Sequence, residues 1–199
     1  ERALEAGTTL RRVFELVMNL RPRVDVPLIL MGYANSFLAL GEKNFAEAAA
    51  QAGVDGVICV DLPPEEGEDQ RRELEAVGID PILLASPTTT PERIGMLARE
   101  ARGFLYYVSL KGVTGARTDL AEGIDQQVGR IRAASDIPVC VGFGVSTPEH
   151  AARVGAFADG VVVGSALIDQ ISSAPGRQEA VENASRFVAA LKAALPSRA

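Results

Sequence analysis

The chain has 199 residues, with 20 Lys and Arg against 26 Asp and Glu, for a formal charge of −6. That length suits one domain with a substantial core, and 47% hydrophobic with 23% charged residues excludes wholesale disorder. A pI near 4.9 and no basic run argue against a nucleic-acid partner, yet leave small anionic ligands open, because backbone amides at helix starts hold phosphate without Lys or Arg.

In chain order, Thr8–Leu20 sets Leu10, Val13, Phe14, Val17 and Leu20 on one stripe and reads as a helix. Six short apolar runs follow, at Pro27–Met31, Gly56–Val60, Pro81–Ala85, Phe104–Val108, Pro138–Gly142 and Gly160–Val163. Each is apolar at nearly every position, as strands covered on both faces are, and Pro27, Pro81 and Pro138 lead three of them. Helical segments alternate with these strands. Asn44–Ala52 stops at Gly53, Glu68–Val77 stops at Gly78, and Thr90-Pro91-Glu92 and Thr147-Pro148-Glu149 are helix starts. A longer helix is expected from Asp119 to about Ser135, and an amphipathic one over Gln178–Leu195.

The apolar runs are under ten residues, too short to span a bilayer. Cys59 and Cys140 sit inside strand-like runs and read as buried thiols of a reducing cytoplasm. The chain opens on Glu1 with no signal-peptide pattern, so a cytoplasmic location is expected. The whole reads as a single domain, 1–199, with a helical lead-in over 1–26, six βα units over 27–171 and a C-terminal helix over 175–199. Repeating βα units imply a parallel sheet. Six strands where a closed (β/α)₈ barrel needs eight leave two choices, an open doubly wound sheet or a barrel that has lost something.

Three glycine-containing loops follow strands: Ser109–Thr118, Val141-Gly142-Phe143-Gly144-Val145-Ser146 and Val163-Gly164-Ser165-Ala166. Glycine lets a backbone approach an anion, and a helix beginning at Gly164-Ser165 would aim free N–H groups at it. The competing reading is that these glycines only make tight turns. Gly112–Thr118 has two glycines and few apolar anchors, so it reads either as a loop able to close over a ligand or as plain surface. Asp61 follows a strand and could serve a site or cap the next segment. Tyr33 and Tyr106 could face a cleft or fill the core. His150 is the only histidine, so a histidine metal cluster is excluded and no metal is expected. No nucleophile–base pair emerges from the pattern.

The ordered series LMGYAN (30–35), AGVDGVICVDLPPEE (52–66), ASPTTTPERI (85–94), YYVSLKGVTGAR (106–117), VGFGVSTPE (141–149) and DGVVVGSALI (159–168) resembles the tryptophan synthase α subunit from Glu1 to about Ile171. The resemblance implies a (β/α)₈ TIM barrel, represented by its last six βα units as an incomplete barrel. It implies a lyase of tryptophan biosynthesis, one that cleaves indole-3-glycerol phosphate by a retro-aldol step to indole and glyceraldehyde 3-phosphate. The implied partner is a β subunit in an αββα heterotetramer. That partner would carry pyridoxal phosphate, and this chain would carry no cofactor. Carried over by motif, Gly115, Phe143, Gly144, Gly164 and Ser165 would hold the substrate phosphate. Thr114 would lie in the closing loop, and Tyr106 would border the indole end. Tyr33, Asn35, Asp61 and Pro63 match segments that face the β subunit.

The family's catalytic Glu and Asp have no counterpart among this chain's acids. The opening ERALEAGTTLRRVFELV resembles the end of the second helical segment, which puts both carboxylates before Glu1. The expectation is therefore a phosphate cradle without an acid–base pair, inactive on its own, with exposed sheet edges prone to aggregation. Two other readings remain. One is a non-catalytic module that docks to and activates the β subunit. The other is a different phosphate-binding barrel enzyme, which would need a catalytic Lys or carboxylate at a strand end; Lys111 is the only Lys near one.

Overall fold

A computed structural model describes residues 2–108, 123–142 and 144–197. They fold into two compact units, Glu1–Leu83 with Ala101–Gly103, and Leu84–Glu100 with Phe104–Ala199.

The first unit begins with α1 (Arg2–Glu5), α2 (Leu10–Leu20) and a 3₁₀ turn at Arg21–Arg23. Thr9 caps α2, its hydroxyl accepting from Arg12 N at 3.3 Å. Then come β1 (Ile29–Gly32), α3 (Ala34–Leu38), α4 (Glu42–Ala52), β2 (Gly56–Cys59), α5 (Glu68–Ala76) and β3 (Asp80–Pro81). The strands are parallel in the order β1-β2-β3, with Ile29 beside Gly56 and Gly56 beside Asp80. Side chains alternate along a strand, so Leu30, Val57 and Cys59 share a face. That face packs on Phe14 and Val17 of α2, Phe45, Ala46 and Ala49 of α4 and Leu74 of α5. Phe45 is the hub, with ring centroids 4.6 Å from Phe37 and 5.7 Å from Phe14; burying each such ring stabilises the fold by about 1.5–3 kcal/mol.

The lead-in is fastened to β2 by a charged clasp. Arg21 places Nη1 2.6 Å from Asp55 Oδ2 and Nη2 2.6 Å from Val26 O, while Leu28 N donates to the same Asp55 oxygen at 2.6 Å. Gly53, at the end of α4, has φ of 90°, and a Cβ there would sit 2.7 Å from Arg21 Cδ. Glycine is required at 53 both for its left-handed backbone and for the room it leaves Arg21.

The second unit contains β4 (Leu83–Ala85), α6 (Pro91–Glu100), β5 (Leu105–Val108), α7 (Ile124–Ala134), β6 (Val139–Gly142), α8 (Pro148–Gly155), β7 (Gly160–Val162), α9 (Ser165–Ser172) and α10 (Arg177–Ala194). Its sheet runs β4-β5-β6-β7, and β5, β6 and β7 pair in parallel, with Tyr106 beside Cys140 and Cys140 beside Gly160. Leu105 and Tyr107 of β5 and Val139 and Val141 of β6 point to one face and are wholly buried. Ile94 and Leu97 of α6, Ile124, Val128 and Ile131 of α7, Ala151 and Val154 of α8 and Leu191 of α10 are among the buried helical residues of this unit. The opposite face carries Tyr106, Val108, Cys140, Gly142, Gly160 and Val162. A second clasp repeats the first: Val139 N donates to Asp159 Oδ2 at 2.9 Å, and Arg132 Nη2 lies 3.4 Å from Asp159 Oδ1. Helices α8, α9 and α10 and strand β7 line a half-open apolar pocket of about 380 Å³ that includes Val161, Leu167, Phe187 and Leu191.

Both Thr-Pro-Glu signals start helices as expected, Thr90 accepting from Arg93 N and Thr147 from His150 N, each at 3.3 Å. The single strand expected at Pro81–Ala85 is instead two pieces, β3 and β4, in different sheets. Asp80 N and Ile82 N donate to Asp55 O and Val57 O at 2.9 Å, but Pro81 between them has no N–H for the other side. The helix expected from Asp119 starts instead at Ile124, because Gly123 before it is left-handed at φ 93° and breaks the helical path; residues 119–122 lie outside the described segments.

Candidate functional site

Strands β6 and β7 end side by side, Gly142 beside Val162. Two residues beyond each end stands a glycine, Gly144 in one loop and Gly164 in the other. Gly144 is exposed with φ of 47°, a left-handed turn that costs a side-chain-bearing residue about 1–2 kcal/mol. Gly164 is the N-cap of α9 at φ −114°, ψ −88°, and Ser165 is the helix's first residue, also exposed. The first helical bond near this end runs from Leu167 N to Gly164 O at 3.0 Å. By helix geometry the amides of Ser165 and Ala166 precede it and point outward, where the helix dipole favours an anion. Strand β5 ends at Val108 beside Gly142, and residues 109–122 follow it in the sequence. The candidate residues Thr114 and Gly115 in that segment, and Phe143 between the glycines, lie outside the described residues.

Tyr106 is buried below these loops at 9% exposure, and burial raises its phenol pKa, with Cys140 adding to the shift. The ring lies over Gly142, and the Cys140 thiol lies over Gly160 in the same way, 2.6 Å from where a Cβ would stand. The face that carries Tyr106 thus has two large groups seated over two glycines, and its six residues include no carboxylate. Cys140 is held near pKa 11 by burial, with Asp159 acting in the same direction.

A second cluster forms in the first unit. Tyr33 is 63% exposed and is the N-cap residue of α3, Asn35 is exposed within α3, and Pro63 is exposed in the loop after β2. Asp61 joins these segments, its Oδ1 accepting from Ala34 N at 2.7 Å. Cys59 lies beneath, its thiol 3.7 Å from the same oxygen, and burial pushes it up to about 11. The structure therefore gives Asp61 a capping role, though for a segment 27 positions upstream and not for the helix that follows it. His150 takes a helix-start position, with Nδ1 3.4 Å from Ser146 Oγ. Among the described residues no group of three or more His, Cys, Asp or Glu could hold a metal ion, and no helix is long and apolar enough to cross a membrane.

Sequence patterning misses α3, whose ANSFL carries no start signal, and both arginine clasps. The repeated Asp-Gly-Val at 55–57 and 159–161, one before each strand, was the available clue to the clasps.

The chain is similar to known proteins along nearly its whole length. The family model for the tryptophan synthase alpha chain matches residues 1–196. A tryptophan synthase alpha chain from Geobacter sp. (strain M21) is 48% identical over 192 residues, covering 96% of this chain and 72% of that protein. The crystal structure of the tryptophan synthase alpha chain from Legionella pneumophila superposes with a TM-score of 0.88 at 39% identity, over 98% of this chain and 72% of that one. A chain from a structure of the tryptophan synthase α2β2 complex from Pyrococcus furiosus, a study of mutual activation, gives 0.89 at 36% identity over 96% and 77%.

Proposed function

The chain belongs to the tryptophan synthase alpha chain family, a family of lyases with the (β/α)₈-barrel fold class, and from that premise we propose how its residues share the work. The loops at Gly144 and at Gly164-Ser165 hold the phosphate of indole-3-glycerol phosphate through backbone N–H groups, joined by Gly115 and Phe143. Thr114 belongs to the loop that closes over the ligand. Tyr106 forms the apolar floor toward the indole ring, where a raised pKa keeps its phenol neutral. The observation that carries this reading is the adjacency of Gly142 and Val162, which sends two glycine loops and the start of α9 out of the sheet together.

Retro-aldol cleavage of the substrate to indole and glyceraldehyde 3-phosphate needs a proton donor and a base placed at the ring. The face bearing Tyr106 offers neither a carboxylate nor an imidazole. An acid and a base would have to come from outside that face, and on this reading the 199 residues by themselves bind substrate without cleaving it. The reading extends to a cytoplasmic protein of tryptophan biosynthesis that assembles with a pyridoxal-phosphate β subunit as an αββα heterotetramer. Tyr33, Asn35, Asp61 and Pro63 face that partner, and no cofactor is bound in this chain. The absence of an acid on the Tyr106 face favours a second reading as well, a module that stimulates the β subunit without turnover.

Calorimetric titration with glyceraldehyde 3-phosphate tests the cradle. Gly164→Asp puts a negative charge at the start of α9 and weakens binding by about tenfold or more; equal affinity in the variant overturns the assignment. Indole release from indole-3-glycerol phosphate by the chain alone, at the rate of a full-length relative, overturns the account of the missing acid and base.

A further inference from the structure

Helix α3 is five residues long and buries only Phe37, so it has no stability of its own. The helix and its flanks nonetheless hold apolar surface in the open, with Tyr33 before it 63%, Leu38 in it 55% and Leu40 after it 45% exposed. Its first amide, at Ala34, needs an acceptor. The N-cap residue Tyr33 makes no side-chain cap bond, since a phenol on a long rigid arm does not fold back onto its own backbone. Asp61 supplies the acceptor from the next βα loop, at 2.7 Å.

The loop that bears Asp61 is itself pinned. Glu66 N and Gly67 N both donate to Pro63 O at 3.0 Å, and the Arg71 guanidinium donates to Pro64 O. Leu62 packs against Gly67, with its Cδ2 3.1 Å from where a Cβ would stand. A firm turn thus presents one carboxylate to one otherwise uncapped helix, and that helix presents the apolar surface.

We propose that Asp61 is a positioning residue that pre-forms the partner surface by holding the start of α3, and that it acts through its acceptor oxygen and not through its charge. This rests on the reading that the surface around Tyr33 faces the β subunit. Ordering α3 before encounter removes an entropic cost from binding.

Calorimetry of the wild-type chain, Asp61→Ala and Asp61→Asn against purified β subunit tests it, with amide hydrogen exchange at Ala34 as the local readout and exchange across α4 as the folded control. The expected result is that Asp61→Ala binds about tenfold more weakly and exchanges faster at Ala34 with α4 unchanged. Asp61→Asn, which keeps an oxygen acceptor, stays within about threefold of wild type. Asp61→Ala binding as tightly as wild type overturns the proposal, and so does Asp61→Asn losing as much as Asp61→Ala, since the charge would then touch the partner itself. A wild-type chain that does not bind the β subunit overturns the docking reading first. Wild-type binding with an unaffected Asp61→Ala overturns the role of Asp61 alone.

Discussion

The phenol of Tyr106 occupies the space above the Cα of Gly142 on the neighbouring strand. A Cβ at 142 would stand 2.5 Å from Cε2 and 2.7 Å from Cζ of that ring, distances no carbon pair adopts. Gly142 is not among the glycines with positive φ, so what excludes a side chain there is the neighbouring ring and not the backbone conformation.

Gly142→Ala is expected to destabilise the fold by about 2–3 kcal/mol, the cost of overpacking a rigid ring. Tyr106→Leu frees the same space, so the double variant should be more stable than the sum of the single changes implies. Urea unfolding of the four proteins gives the coupling. Strict additivity would show that ring and glycine do not meet.

The two clasps predict an ordered mutational series. Asp55→Ala removes an acceptor shared by Leu28 N and Arg21, both at 2.6 Å, and should cost about 1–3 kcal/mol. Asp55→Asn keeps an oxygen for Leu28 N and should cost about half as much, because the ion pair with Arg21 is partly solvated. Asp159→Ala should cost less than Asp55→Ala, its Arg132 contact being longer at 3.4 Å. Thermal unfolding of the three variants checks the order.

Both thiols are held near pKa 11, above the ordinary 9.0, chiefly by burial. Folding favours the neutral thiol, so this contribution to stability is fully present below pH 9 and is lost as pH rises from 9 to 11. Iodoacetamide should modify the native chain slowly at pH 8, and rapidly only after unfolding in urea, where the rate should titrate near the ordinary thiol value. The sequence reading made both thiols buried, whereas each is half-buried, and fast native modification at pH 8 would contradict their raised pKa.

The paired Thr-Pro-Glu starts predict matched losses. Thr90→Ala and Thr147→Ala should each cost about 1 kcal/mol, the usual worth of a helix cap. Glu92 and Glu149 are held below their ordinary value, Glu92 first by its own backbone amide and Glu149 first by Thr147. A lowered carboxyl pKa gives stability that is present above the unfolded value and fades as pH falls through the folded one. The helix-start contribution should therefore shrink in acid, and each Thr→Ala difference should be smaller at pH 3 than at pH 7.

Much of the fold was readable because each βα unit announces itself locally. Val139–Gly142 and Leu105–Val108 fall within one residue of the apolar runs that suggested them, and Gly53 ends α4 as its position implied. What escaped was non-local. Nothing in ANSFL marks a helix, because its cap lies at Asp61. Nothing at Arg21 or Arg132 marks a clasp, because the meaning of each arginine depends on an aspartate one βα unit later. Pro81 looked like a strand's first residue and is in fact where one ladder stops, a difference that rests on which side its absent N–H would have faced. At the candidate site the glycines at 144 and 164 stood out by composition. The seating of Tyr106 over Gly142 needed the strand register.

The clasps also bear on how the chain acquires its register as it forms. Each joins an aspartate just before one strand to the amide that opens the strand before it, Asp55 to Leu28 and Asp159 to Val139. The loops they close span only 27 and 20 residues, and the entropy lost in closing a loop grows only slowly with its length. A parallel pair ordinarily meets late, because its ends are brought together by a long crossover. Each pin thus becomes available as soon as its aspartate joins the growing chain, before the strand it aligns has been added, β2 for Asp55 and β7 for Asp159.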